Sequence, residues 1–297
     1  MSLPRSRPDS VYAGDSAPLN QRGLVRRAGI VLVERDAVTP DPTIALHKEA
    51  KEVSFKSDGA FGTFDKAQLQ RGFKVYQEVC AACHSLHQVA FRDLAALGFS
   101  PAEIKAIAKK NEQPTIDEKT GDAAMRPGLP SDKFYGPYAN EVAARAANNN
   151  ALPPDLSLMT KAREHGNRYV YSLLTGYANA PADWKVPTGL HYNPYFKSIN
   201  IAMPAPLTSE GQVEYTDGTK PTVDQMAKDV SAFLMWVAEP HLNDHKAAGF
   251  RVLAFLLLFA ALTAGGALAQ AQTSPTTSAQ LQYRAGPGPA PIQPLPA

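Results

Sequence analysis

The sequence predicts a mostly α fold with long irregular insertions and one C-terminal transmembrane helix. Apolar residues recur every three or four positions in several segments, which is the spacing of an amphipathic helix. Eighteen consecutive residues, 252–269, carry no charge. The 25 prolines and 20 glycines indicate that much of the remaining backbone is irregular.

The charge balance argues against nucleic acid as a partner. The chain has 30 Lys and Arg against 28 Asp and Glu, a formal net charge of +2, and its basic residues form no stripe. Binding to a polyanion normally requires such an excess or stripe. The 297 residues are enough for a buried core in one large domain or two. The two cysteines are too few for a disulfide framework.

The chain divides into four parts by composition. Residues 1–58 are rich in Pro, Ser, Arg and Gly without an apolar period, so we expect a poorly ordered segment. The apolar run at 28–33 is too short for the core of an export signal. Residues 59–245 are predicted to form the main domain and residues 246–270 a membrane anchor. Residues 271–297 have the composition of a disordered tail.

Three helices of the main domain have clear sequence signals. Residues 63–80 place four apolar side chains at helical spacing, so a helix should run directly into the first cysteine. Ser100 and Glu103 form the pattern of a capping box at the start of the next helix. The strongest pattern begins at Thr222, which is expected to form a capping box with Gln225.

The uncharged stretch 252–269 predicts a single membrane-spanning helix. As a helix it would be roughly 27 Å long, close to the hydrocarbon thickness of a bilayer. A buried core helix is the alternative, but soluble helices seldom lack any charge over this length.

The motif EVCAACHSLH, residues 78–87, contains both cysteines and allows three chemistries. A thioredoxin-like dithiol would need a strand-to-helix turn, whereas a helix precedes this motif. Zinc could use the two thiols with His84 and His87. Structural zinc usually joins two chain segments, however, and adjacent Cys83 and His84 fit one tetrahedron poorly.

Covalent haem attachment explains the order and the spacing of the motif. The thiols of Cys80 and Cys83 would add to two neighbouring vinyl groups, and His84 would bind the iron. The sequence therefore predicts one covalently bound haem c, with His87 as an ordinary residue. The sixth ligand of such a haem is commonly a methionine sulfur. Met203, in the stiff segment INIAMPAPL, is a better candidate than Met125, but the residues alone leave both open.

Several longer segments carry a resemblance to a known family. In chain order they are the haem motif, RPGLPSDKF, YANEVAARAANNNALPPDLSL, YVYSLLTGY, HYNPYF, IAMPAPL, VEYTDGT and MAKDVSAFLMWVAEP. This order, followed by one span, resembles cytochrome c1, the haem subunit of the ubiquinol–cytochrome c oxidoreductase (cytochrome bc1) complex. The resemblance covers about residues 60–258. It implies a cytochrome c-like haem domain at 59–245, Met203 as the axial ligand and Arg126 against a haem propionate.

The resemblance also implies a function. The chain would carry single electrons from a Rieske iron–sulfur protein to a soluble cytochrome c, in a complex with cytochrome b that oxidises quinol and translocates protons. It would hold no bond-making catalytic residue, and its partners would include the lipid bilayer. A stand-alone membrane-tethered c-type cytochrome is the first alternative, and a zinc or dithiol regulatory protein is the second.

The charges around the span bear on its orientation. Lys246 and Arg251 precede the span, and only Arg284 follows it. The positive-inside tendency would therefore place the Lys246 side in the cytoplasm. Haem attachment needs the export-side machinery, and two basic residues orient a span only weakly. We therefore expect the haem domain on the periplasmic, or equivalent positive, side of a bacterial inner membrane.

Overall fold

A computed structural model of the chain describes residues 41–273. The predictions of disorder for residues 1–40 and 274–297 lie outside the described residues. The chain divides into two compact units, of which the first ends at Ala45 and the second begins at Leu46. The first unit is described only for residues 41–45, where the short helix α1 begins (Pro42–Leu46). The second unit contains the other described residues, 46–273.

The described part of this unit is mostly helical, as predicted, and has little strand. Its helices are α2 (Lys66–Glu78), α3 (Pro101–Lys110), α4 (Glu141–Ala147), α5 (Asn167–Leu174), α6 (Val223–Ala238) and α7 (Leu242–Thr273). Its strands form three antiparallel pairs: β1 (Leu86–Ala90) with β4 (Lys133–Phe134), β2 (Glu112–Ile116) with β3 (Ala123–Pro127), and β5 (His191–Tyr192) with β6 (Asn200–Ile201).

The core is built around the crossing of α2 and α6. A Cβ atom on Gly72 would lie 2.1 Å from the carbonyl oxygen of Asp229 and 2.6 Å from the Cβ of Phe233. Only glycine permits this approach of the two backbones. The ring of Phe233 then packs between Phe73 and Tyr76 of α2, with centroid distances of 5.7 and 5.9 Å. The crossing fixes the C-terminal end of α2, from which the cysteine motif continues.

A buried ion pair fastens the loop 202–222 to the same crossing. Asp229 is fully buried, and its carboxylate accepts a 2.8 Å hydrogen bond from Nε of Arg71. Nη1 of the same guanidinium donates to Asp217 of the loop at 2.6 Å. A buried carboxylate is costly without such a partner. Arg71 therefore compensates the buried charge of Asp229 and, through Asp217, also positions the loop.

The predicted helix starts are confirmed with one correction. Ser100 and Glu103 form the capping box of α3. Thr222 caps α6 by accepting a hydrogen bond from the backbone N–H of Gln225, at 3.1 Å. The Gln225 side chain does not close the box as predicted. Its Nε2 amide donates to Asp229 at 2.8 Å, and the backbone N–H of Thr222, which the box would pair with Gln225, donates to the carbonyl of Lys220 at 2.9 Å.

The compact unit begins closer to the N-terminus than the boundary that composition placed between residues 58 and 59. Its first residue is Leu46, and Phe55 lies in the core with 6% of its surface exposed. The backbone N–H of Lys51 donates to Ser172 of α5 at 2.7 Å. Residues 46–58 contain few apolar side chains, so their composition did not reveal this packing.

Helix α7 contains the predicted anchor. It begins at Leu242, four residues before the predicted boundary at 246, and continues to Thr273. Residues 242–270 are long and apolar enough to cross a membrane, and the helix buries none of its apolar window in the protein. A helix that is apolar on all sides and uncovered is suited to lipid.

Candidate functional site

The two thiols and His84 lie on one tight turn after α2. A 3₁₀ turn spans Cys80–Ala82, and the backbone N–H groups of Cys83 and His84 both donate to the carbonyl of Cys80, at 3.1 and 2.9 Å. The three predicted site residues of the motif are therefore neighbours in space as well as in sequence.

His84 is oriented by a backbone carbonyl. Its Nδ1 lies 2.7 Å from the carbonyl oxygen of Pro154. Because a carbonyl only accepts hydrogen bonds, Nδ1 carries the proton. Nε2 is therefore unprotonated, and its lone pair is available to bind a metal. Burial lowers the pKa of His84, against the opposing effects of the Pro154 hydrogen bond and the charge of Asp155. A neutral imidazole with a fixed tautomer is the form that ligates a metal.

The loop 148–157 is held by hydrogen bonds against the last residues of the motif, 85–87. The carboxylate of Asp155 accepts from the Ser85 hydroxyl at 2.7 Å and from the backbone N–H of His87 at 2.8 Å. The backbone N–H of Leu156 donates to the carbonyl of Ser85 at 3.0 Å. These bonds hold the Pro154 carbonyl against His84.

Asp155 itself has a perturbed pKa. Burial alone would raise the pKa of this carboxyl, but hydrogen bonds from Ser157, His87 and Ser85 outweigh burial and lower it. The group that clamps the loop is therefore kept ionised, which makes it a strong acceptor.

The environment of the cysteines is unlike that of a redox dithiol. Burial and the neighbouring Cys83 raise the pKa of the Cys80 thiol to about 12. Reactive dithiols need a lowered thiol pKa, because the thiolate is the nucleophile. Cys83 lies 3.8 Å from the hydroxyl of Tyr138, which in turn accepts from the Asn148 side chain at 2.9 Å. The raised pKa of Cys80 therefore argues against a redox dithiol.

The arrangement does not form a zinc site. Within residues 41–273, the structure gathers no group of three or more His, Cys, Asp or Glu side chains placed to hold a metal ion. His87 turns to Asp155, with Nδ1 3.3 Å from the carboxylate, and half of its side chain is exposed. The four donors that zinc would require are therefore not gathered.

Met203 lies in the loop directly after β6. Its side chain is half-buried, and its carbonyl accepts a 2.9 Å hydrogen bond from the hydroxyl of Tyr177. Ile199 and Leu207, which flank it, are buried as expected for an apolar wall. A pocket of about 660 Å³ adjoins this loop, with Tyr177 and Ala205 in its lining. No hydrogen bond between described residues joins Met203 to the cysteine turn.

Met125 and Arg126 lie on strand β3, not in a loop. Met125 pairs with Pro114 of β2 and is 57% exposed, which suits an iron ligand poorly. The guanidinium of Arg126 makes a bidentate pair with Asp132, at 2.6 and 2.9 Å. Its hydrogen bonds within the described region go to Asp132 and to the carbonyl of Pro127. Asp132 therefore fixes the guanidinium of Arg126 beside β3.

Sequence reasoning missed the residues that support His84. Pro154 acts through its backbone oxygen, and side-chain patterns in a sequence do not show which backbone carbonyl will accept a hydrogen bond. Asp155 follows two prolines, which stiffen the chain so that one carboxylate can hold the loop. The two consecutive prolines were the feature of the sequence that could have indicated a rigid loop at this position.

The donor set fits a covalently attached haem. Two thiols on one turn, an imidazole with an unprotonated Nε2 and a half-buried thioether are the groups that haem c uses. The Pro154 carbonyl supplies the outer hydrogen bond that orients a ligating histidine.

Comparisons with known proteins agree with this chemistry. A model of the cytochrome C1 family matches residues 55–269. Cytochrome c1 of Rhodospirillum rubrum is 43% identical over 258 residues, which cover 82% of this chain and 93% of that protein. A cytochrome c1 heme protein of Arabidopsis thaliana is 47% identical over 216 residues, covering 73% and 70%. A cytochrome b-c1 complex catalytic subunit of Candida albicans is 46% identical over 239 residues, covering 79% and 82%. The region matched by the family model contains the cysteine turn, the loop 148–157 and Met203.

Proposed function

Because this chain belongs to the cytochrome c1 family, we propose that it is the membrane-anchored haem subunit of a quinol–cytochrome c oxidoreductase. It would take single electrons from a Rieske iron–sulfur protein and deliver them to a soluble cytochrome c. The observation that carries the proposal is the neutral His84, oriented by the Pro154 carbonyl beside two thiols on the same turn.

Four side chains would hold the cofactor. The thiols of Cys80 and Cys83 would form the two thioether bonds, and Nε2 of His84 would bind the iron. The sulfur of Met203 would be the sixth ligand. One haem c bound in this way would supply a single-electron couple between ferric and ferrous iron. The chain adds no acid, base or nucleophile to that chemistry.

The contribution of the protein is to keep these groups still. The Pro154 carbonyl prevents rotation of the His84 ring, and Asp155 holds the loop that carries Pro154. The hydroxyl of Tyr177 ties down the backbone at Met203. Ligands that stay in place when the charge changes favour fast electron transfer, because little has to reorganise.

The anchor and the complex belong to the same proposal. Helix α7 would cross the bilayer once, with the haem domain on the periplasmic or equivalent positive side, next to cytochrome b. The uncovered apolar surface of α7 supports the crossing. The relative from Candida albicans is named as a subunit of the cytochrome b-c1 complex, which supports the assembly.

Affinity purification of the full chain from mild-detergent extracts tests the assembly. We expect a b-type cytochrome to co-purify, and addition of quinol to reduce the c-type haem and then soluble cytochrome c. A c-type spectrum with no co-purifying b-type cytochrome would favour the stand-alone membrane-tethered cytochrome.

A further inference from the structure

The loop 57–64, here called the Phe61 loop, is fastened to the first turns of α7. The ammonium of Lys246 donates to the carbonyl of Ser57 at 2.7 Å and to that of Gly62 at 2.8 Å. The backbone N–H of Phe64 donates to the side chain of Asn243 at 3.2 Å. Both ends of the loop are therefore attached to the helix.

Two glycines set the shape of this loop. Gly59 has φ +69°, which other residues rarely adopt. A Cβ on Gly62 would lie 1.9 Å from the carbonyl oxygen of Asp58. The backbone N–H of Thr63 donates to the carbonyl of Lys56 at 3.0 Å and closes the loop. The loop is thus a tight, internally bonded turn.

The tip of this turn presents an aromatic ring to the outside. Phe61 is 83% exposed, and its ring stacks on Phe250 of α7 with centroids 4.9 Å apart and an interplanar angle of 10°. Asn243, Lys246 and Phe250 are spaced i, i+3 and i+7, so the loop lies along one face of the helix. Phe250 immediately precedes Arg251 and the uncharged stretch 252–269.

We propose that the Phe61 loop inserts into the interfacial layer of the lipid bilayer, beside the point where α7 enters. This inference rests on the proposed membrane anchoring. A highly exposed phenylalanine on a loop is unfavourable in water, whereas here its ring stacks on Phe250, close to the start of the uncharged stretch of α7.

The positions of two basic residues also indicate where the boundary between water and lipid lies. The ammonium of Lys246 is turned into the carbonyls of the haem domain, while Arg251 follows Phe250 and is long enough to reach the headgroups. The polar edge of the bilayer would therefore lie between Lys246 and the ring pair. Because the loop is already rigid, inserting Phe61 requires no further ordering of the backbone. Two attachment points, α7 and the loop, would restrict the tilt of the haem domain over the membrane.

Photo-crosslinking in native membranes tests the occupant of this surface. The photoreactive analogue p-benzoylphenylalanine is placed at position 61 of the full chain, in the assembled complex. The control places it at position 116, where Ile116 is 67% exposed on the β2–β3 hairpin. We expect about tenfold or more lipid adduct at position 61 than at position 116, from the apolar transfer of one aromatic side chain.

Two results would overturn the inference. Adducts with another protein subunit would mean that a partner, not lipid, covers Phe61. Lipid adducts no more frequent than at position 116 would mean that the loop stays in water. The haem absorption of the same preparation reports on the proposed function independently, since the proposed insertion involves neither the cysteine turn nor Met203.

Discussion

At the scale of single residues, the proposed sixth ligand Met203 should set the reduction potential. Met203→Leu keeps the bulk of the side chain but removes the sulfur that favours ferrous iron. Haem attachment should persist, because it needs only Cys80, Cys83 and His84. The potential should fall on the order of 100 mV or more, since the lost preference is a few kcal/mol for a one-electron couple.

Met125→Leu is the matched control for this experiment. Met125 is exposed on β3, so its loss should leave the potential within roughly 30 mV. Redox titration measures both variants, and the weak red band of the oxidised spectrum reports iron–sulfur ligation. If that band survives Met203→Leu and disappears in Met125→Leu, the ligand is wrongly assigned.

The two histidines of the motif should behave differently. His84→Ala should abolish haem incorporation, because the imidazole fixed by Pro154 is the proposed proximal ligand. His87→Ala should leave the visible spectrum largely intact, since His87 is half-exposed and contacts Asp155 instead. The ratio of haem to purified polypeptide measures both. Equal loss in the two variants would contradict the assignment.

At the scale of elements, the crossing of α2 and α6 depends on Gly72. Gly72→Ala should lower the free energy of unfolding by about 1–3 kcal/mol or more, because the added methyl overlaps the Asp229 carbonyl. Gly249→Ala in α7 is the control, since nothing lies within 4 Å of its added Cβ. Thermal unfolding compares the two. Similar melting temperatures would mean that the helices can separate at little cost.

The loop 148–157 should be released in acid. The pKa of Asp155 is lowered in the folded protein, so the unfolded chain binds its proton first as the pH falls. The contribution of this carboxylate is therefore present above the ordinary aspartate pKa of about 4 and is lost as the pH falls through the lower folded value. Asp155→Asn should make stability less dependent on pH in this range.

Denaturant unfolding at a series of acidic pH values measures the effect. Asp183→Asn, at an exposed position, serves as the control and should follow the parent protein. A parallel pH dependence in the parent and in Asp155→Asn would show that Asp155 does not clamp the loop.

At the scale of the whole molecule, local signals predicted the helices and the motif but not the contacts between them. The capping residues Ser100 and Thr222 act within one turn, so the sequence displays them directly. The β2–β3 hairpin was not predicted, because each strand contains a proline and neither shows a regular alternation of apolar and polar residues. The packing of Phe55 and the hydrogen bond from His84 to Pro154 join distant segments, so no local pattern contains them.

In the candidate site, too, local features could be predicted from the sequence and contacts between distant segments could not. Its three residues on the turn follow from spacing alone, whereas Met203 needed the family resemblance to be separated from Met125. The contact of Arg126 with a haem propionate stays a prediction. In the described structure its guanidinium is paired with Asp132. Asp155 and Tyr177, which position the segments that carry the proposed ligands, became visible only in the folded structure.

The central claim is that one haem is covalently bound through both thiols of the turn. Acid–acetone extraction of the purified full chain, followed by the pyridine haemochrome spectrum of the pellet, tests it most directly. We predict that the pigment stays with the polypeptide, at one haem per chain and with no thiol left to titrate. Pigment that leaves entirely with the solvent, or a colourless protein with two free thiols, would contradict the account.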